Sequence, residues 1–217
     1  CPSCEGELVR PEGEAVHRCP NTNCGAVRQE KIEHLVSRYA FNIEGFGKET
    51  IDVLLEQEVV SDAADIFFLT YDVLITLPLF KEKKTENILT AIESAKHVPL
   101  DRFLFALGIR HVGRETAEIL ANRLQWPKSE LTVEQSNASA GAQAALFGEE
   151  KTSVKIHGIT MANIATTLQA QSPEDLFLID GIGDVVAKSL SSWIAEEDNR
   201  ALLHKFENAG VIAVQPE

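Results

Sequence analysis

Residues 176–190 read Leu-Phe-Leu-Ile-Asp-Gly-Ile-Gly-Asp-Val-Val-Ala-Lys-Ser-Leu. Leu176, Ile179, Ile182 and Leu190 recur at helical spacing on either side of Gly181-Ile182-Gly183. The segment therefore predicts two short helices joined by a tight hairpin, which the glycines permit. Ala187, four residues past the second glycine, is small enough to let the helices cross closely. The hairpin and the start of the second helix then turn backbone N–H groups outward, where the helix dipole favours an anion such as phosphate.

The same frame recurs three more times with growing departures. Residues 40–54 keep Gly45-Phe46-Gly47 but place Ile51 where Ala187 stands. Residues 106–120 keep Gly113 and Ala117 and put His111 at the first glycine position. Residues 74–88 replace both glycines, by Leu79 and Lys81, and are expected to be structural or to offer Lys81, Lys83 and Lys84 as point charges. The second glycine position falls at 47, 81, 113 and 183, and the regular part of that spacing is the signature of a repeat whose neighbours complete each other's core. This is a tandem helix-hairpin-helix arrangement. The expected fold is mostly α, a four-motif domain over 32–217 with an insertion at about 126–172 before the last motif. Within the insertion, Lys155 to Ile159 reads as a short strand and Thr160 as the cap of a helix through Leu168, with a decayed hairpin copy around Gly158 as a further reading. Phe67, Phe68, Phe80, Phe103, Phe105 and Phe177 lie among Leu and Ile and are expected in the core.

All four cysteines, Cys1, Cys4, Cys19 and Cys24, lie in the first 24 residues, as C-x2-C and C-x4-C on turns rich in Pro, Asn and Gly. Paired thiolates on two knuckles suit one tetrahedral zinc ion, and four thiolates leave no open position for water, so the zinc is expected to be structural. A Cys4 finger is expected over 1–31. Nearby Arg10, Arg18, Arg28 and Lys31 are balanced by Glu5, Glu7, Glu12, Glu14 and Glu30.

With 20 basic and 33 acidic residues the chain carries a net charge of −13, unlike the usual basic footprint of a DNA-binding domain. Recognition through backbone N–H groups and a few placed cations makes net charge a poor guide. No stretch approaches the roughly 20 apolar residues of a membrane span. With no secretory signal either, a cytoplasmic location is expected. The first residue is a Cys of ligand type rather than a Met, as expected of a piece of a longer protein.

The order of these parts resembles the C-terminal half of bacterial NAD-dependent DNA ligases, where a Cys4 finger precedes four helix-hairpin-helix motifs. The telling stretches are Cys1-Pro2-Ser3-Cys4, residues 34–38 leading into 43–47, residues 86–89, residues 107–113 followed by Glu115 and Ala117, and residues 182–189. The resemblance implies a nucleoid-associated parent enzyme that seals nicked double-stranded DNA in replication and repair, with NAD as its cofactor. It also implies adenylation, oligonucleotide-binding and BRCT domains that are not recognisable here, so this segment is expected to hold nicked DNA as a monomer without binding NAD or performing chemistry. The expected DNA contacts are Gly45, Gly47, Lys48, Arg110, His111, Gly113, Arg114, Gly181 and Gly183, positioning the protein on phosphates without reading sequence. Asp184 and Glu115 are expected to cap helices, and Lys188 to face solvent. Two other readings are a sterile hairpin module that binds protein, and the DNA-binding part of another repair enzyme.

Overall fold

The computed structural model describes residues 1–10, 15–135 and 152–215. Glu12 and Glu14 of the finger, and most of the small-residue-rich part of 126–172, lie outside these. The fold is mostly α, as the repeats predict, and groups into two compact units: residues 1–95 with 106–108, and residues 96–105 with 109–217.

The first unit contains the cysteines, α1 (Gly25–Val36), α2 (Lys48–Glu56), a 3-10 helix (Ala63–Phe68), α3 (Tyr71–Leu74) and α4 (Glu82–Ala95). Its core is Ile32 and Leu35 of α1, Ile51 and Leu54 of α2, Ile66, Leu74 and Ile88, all essentially inaccessible to solvent. Phe41 and Phe67 add a tilted ring pair at 5.0 Å between centroids. The 3-10 helix starts at a reciprocal capping box. The Asp62 carboxylate accepts from the N–H groups of Ala64 and Asp65, while Asp65 accepts from that of Asp62.

The second unit holds β1 (His97–Pro99), most of α5 (Leu100–Ala106), α6 (Arg114–Arg123), β2 (Ser129–Gln135), β3 (Thr152–Gly158), α7 (Met161–Gln169), α8 (Pro173–Phe177), α9 (Asp184–Ala195), α10 (Glu197–Asn208) and β4 (Ile212–Val214). Helix α7 packs on α9 and α10, and Phe103 meets Phe206 edge to face at 5.7 Å. β1 pairs in parallel with β4, Val98 opposite Ala213. β2 and β3 form an antiparallel ribbon with Ser129 opposite Gly158.

Within 126–172 the expected strand is present and longer, and Thr160 caps α7 by accepting from the Asn163 N–H at 3.1 Å. No hairpin copy is built around Gly158. That glycine ends β3 against β4, where a Cβ would lie 2.3 Å from Ile212 Cγ2. Met161, Ile164 and Leu168 put α7 in the core of the unit. Of the phenylalanines, Phe67, Phe80 and Phe103 are buried as expected, but Phe68 and Phe177 are exposed. Each ends its short helix on the solvent side, a placement that apolar spacing over five or six residues does not resolve.

Candidate metal centre and nucleic-acid interface

The four cysteine Sγ atoms all lie within 4.8 Å of one another. Cys1 and Cys24 are 3.7 Å apart at sulfur, and Cys4 and Cys19 are 3.5 Å apart. A disulfide would require about 2.05 Å. A tetrahedral centre with metal–sulfur bonds of about 2.3 Å has edges of about 3.8 Å, so the thiols stand where one ion would hold them. The knuckles are backbone turns, Glu5 N–H to Cys1 C=O at 2.8 Å and Cys24 N–H to Asn21 C=O at 3.0 Å, joined by the paired amides of Val9 and Arg18. Cys24 is also the N-cap of α1. The Val27 N–H and then the Ser3 hydroxyl donate to its sulfur and lower its thiol to about 7, favouring the ligating thiolate. Burial pushes the Cys19 thiol up, so bonding to a metal would have to displace its proton. Ser3 is a contributor that sequence reasoning missed; its only signal is its place inside the first knuckle.

All four hairpins share one backbone feature. The residue at the first glycine position has positive φ in every copy: Gly45 at +93°, Leu79 at +70°, His111 at +63° and Gly181 at +91°. The apolar residue that follows, Phe46, Phe80, Val112 or Ile182, is buried each time. The second glycine position ends the turn. Gly47, Gly113 and Gly183 are the N-caps of α2, α6 and α9, with no side-chain capping hydrogen bond.

The two glycines of a hairpin answer to different constraints. A Cβ on Gly45 would lie 2.6 Å from Ile88 Cγ1, and one on Gly181 would lie 2.6 Å from Ile119 Cδ1. Both positions are thus strained by φ for any side chain, and a Cβ would also press on the neighbouring hairpin's isoleucine, which is buried at Ile88 and met at its terminal methyl at Ile119. Around Gly47, Gly113 and Gly183 a Cβ would meet nothing within 4 Å, and their φ values suit any residue. Neither space nor φ calls for glycine there; the fold asks only for its modest preference at a helix N-cap.

The cations divide unevenly among the hairpins. Lys48 follows Gly47 and is exposed. Arg110, His111 and Arg114 surround Gly113, and Arg110 lines a cleft of about 400 Å³ with Lys188, Ser189 and Trp193 of α9. At the fourth hairpin Lys188 faces solvent but is bound to Asp184 at 2.7 Å, leaving Asp180 and the exposed Phe177, Leu178 and Val185 around the glycines. Of the two roles expected for the second hairpin, structural or a source of point charges, Lys84 takes the first. Its Nζ donates to Thr50 Oγ1 at 3.0 Å and sits 4.7 Å over the Phe80 ring.

Residues 1–26 match the model of the NAD-dependent DNA ligase C4 zinc finger domain, and residues 102–126 match that of the helix-hairpin-helix motif. Proteins named DNA ligase from Halothermothrix orenii and Dehalococcoides mccartyi are 37% identical over 212 residues and 36% over 211, covering 97% of this chain and 26% of each relative. One from Macrococcus caseolyticus is 37% identical over 211 residues, with the same shares covered. The chain thus spans about a quarter of the length of the relatives it matches. The resemblance to the finger and hairpin region of NAD-dependent DNA ligases is borne out. Among the described residues no helix is long and apolar enough to cross a membrane.

Proposed function

We propose that this chain, similar over nearly its whole length to a quarter-length segment of DNA ligases, is the part that holds nicked duplex DNA while the rest of the enzyme seals it. The observation that carries the reading is the glycine at three helix N-caps where neither φ nor crowding excludes a side chain, so that the start of each helix is left open to an approaching group. Such a position lets a phosphate come within hydrogen-bonding distance of the first amides of the helix, and the dipole adds to the attraction. Gly47, Gly113 and Gly183 then supply amides; Lys48, Arg110, His111 and Arg114 supply flanking charge; Gly45 and Gly181 shape the turns. The contacts are to phosphate, so binding is independent of sequence and falls steeply with salt.

The finger over 1–31 takes a structural zinc ion on Cys1, Cys4, Cys19 and Cys24 and fixes the entry of α1, leaving 32–217 as the hairpin domain. When bound, the ion supplies crosslinking and no chemistry, since all four of its positions are filled by thiolate. NAD and the adenylation step belong to the remainder of the parent enzyme, which would act in replication and repair in the bacterial cytoplasm, and the chain would work as a monomer.

A titration of this chain with nicked and intact duplex at about 50 mM salt tests the reading. Binding that Gly47→Val and Gly183→Val weaken at least tenfold supports it. Absence of binding, or variants that bind like the parent, would sink it. Gly181→Val is a poor probe, because the clash with Ile119 confounds folding with contact. A second reading, a protein-docking hairpin, draws on the acidic and apolar tip of the fourth motif. In that case Leu178→Asp would abolish partner capture and leave the DNA titration unchanged.

A further inference from the structure

The second hairpin keeps the left-handed turn and the buried frame of its siblings, yet it has lost both glycines. Lys81 stands where three siblings have a glycine with open space around it. A side chain there fills the approach by which a phosphate would reach the amides behind it. This hairpin is therefore unsuited to the amide contact that the others offer, although it is the richest of the four in lysine.

The lysines separate by role. Lys84 is held by Thr50 and Phe80 and belongs to the packing of the unit. Lys81 and Lys83 are exposed, and neither side chain has a partner among the described residues. Together with Gly45 and Asn87 they line a cleft of about 750 Å³. Glu44 is the one acidic residue in its lining; Glu82 and Glu86, on α4 with Lys83, do not line it. In a chain of net charge −13 this is a cleft of net positive charge, and a local field of that kind draws an anion where the global charge would repel it.

We propose that the second hairpin binds a backbone phosphate of the duplex through the ammonium groups of Lys81 and Lys83, in the cleft it shares with Gly45, in place of the amide contact. This rests on the reading that the hairpins grip duplex DNA. The hairpin whose motif is most degraded thereby remains a binding element, with point charges replacing oriented N–H groups. Its contribution is correspondingly more sensitive to salt and less demanding of geometry.

The test uses the whole chain, a nicked duplex and fluorescence anisotropy over a range of salt. The Lys81→Gln/Lys83→Gln variant should melt like the parent, bind roughly tenfold or more weakly near 0.1 M salt, and lose about 2 from the slope of log K against log salt. Lys84→Gln should lower the melting temperature and leave that slope alone. An unchanged slope in the double variant, or the slope loss appearing in Lys84→Gln instead, overturns the assignment. If the parent binds and Gly183→Val weakens it while the double variant does not, only this inference fails. If the parent does not bind at all, the proposed function falls and this falls with it. Inorganic phosphate, added at constant ionic strength, separates the sources of the anion. Displacing the duplex no better than chloride supports a site for duplex phosphate, while saturation by inorganic phosphate at the lysines would make it a small-anion site and overturn the proposal.

Discussion

In the first unit, the hairpins at 40–54 and 74–88 meet where Gly45 lies against Ile88; in the second, residue 109 onward, those at 106–120 and 176–190 meet where Gly181 lies against Ile119. Each pairing joins a hairpin with both glycines to one that lacks the first, and the glycine-bearing turn leans on the second helix of its neighbour. The partners, Leu79 and His111, make the same left-handed turn with a side chain attached. Positive φ is thus the requirement common to all four copies, and glycine is imposed at the first position only where a neighbouring helix closes the space above the Cα. The pairs differ in what surrounds this common frame. The first carries lysines and is joined to the only group of metal-binding side chains among the described residues, whereas the second carries arginines, a ribbon and an acidic tip.

The largest effect that would break the comparison is on the metal. Structural zinc in small fingers contributes on the order of 10 kcal/mol of folding free energy. Chelation, or Cys19→Ser with Cys24→Ser, should unfold residues 1 to about 28 and leave the hairpin helices of both pairs protected. Hydrogen exchange read segment by segment checks this. Loss of protection through α2 and α4 would show that the finger and the first pair fold as one, unlike the second pair.

Next in size are the first-position glycines. Gly45→Ala and Gly181→Ala each force a Cβ into a left-handed turn and against a buried or packed isoleucine, and should cost about 2–3 kcal/mol in denaturant melts. Gly47→Ala and Gly183→Ala should cost less than about 1 kcal/mol, since only the capping preference is lost. Equal losses at both positions would erase the distinction between a glycine kept for the fold and one kept for a ligand.

The helix-crossing position gives a smaller effect. Ala187 and Ala117 sit there in the second pair, Ile51 and Thr85 in the first. Thr85 is fully buried and its Oγ1 finds no hydrogen-bond partner. Thr85→Val keeps the shape, removes the unsatisfied hydroxyl and should stabilise by about 1 kcal/mol. A loss instead would mean that the hydroxyl is satisfied in solution.

The hairpins were legible in the sequence because each is a local object. Five apolar positions and a turn within 15 residues lie close enough in the chain that spacing alone implies contact. The thiol centre was legible for the same reason. What escaped were features set by partners distant in sequence. β1 and β4 are three-residue strands more than a hundred residues apart, with no alternation to mark them. The division of roles among Lys81, Lys83 and Lys84 depends on Thr50, some thirty residues upstream. The exposure of Phe177 was hidden because its helix is only five residues long, too short for a moment to assign its face.

The smallest predicted effect bears most directly on why the pairs can differ at all. Leu79 is 55% exposed, so its replacement by glycine forfeits little burial. The change removes a left-handed strain of about 1–2 kcal/mol and returns about 0.5–1 kcal/mol as added entropy of the unfolded chain. Leu79→Gly should therefore be neutral to stabilising, by at most about 1 kcal/mol, in the same melts that expose Gly45→Ala. His111→Gly should behave alike with a smaller gain, because histidine tolerates the left-handed region better than leucine. Destabilisation of either variant by more than about 1 kcal/mol would show that the side chain itself holds the turn. The four hairpins would then be different structures that share a φ value, not one turn that glycine occupies only where space demands it.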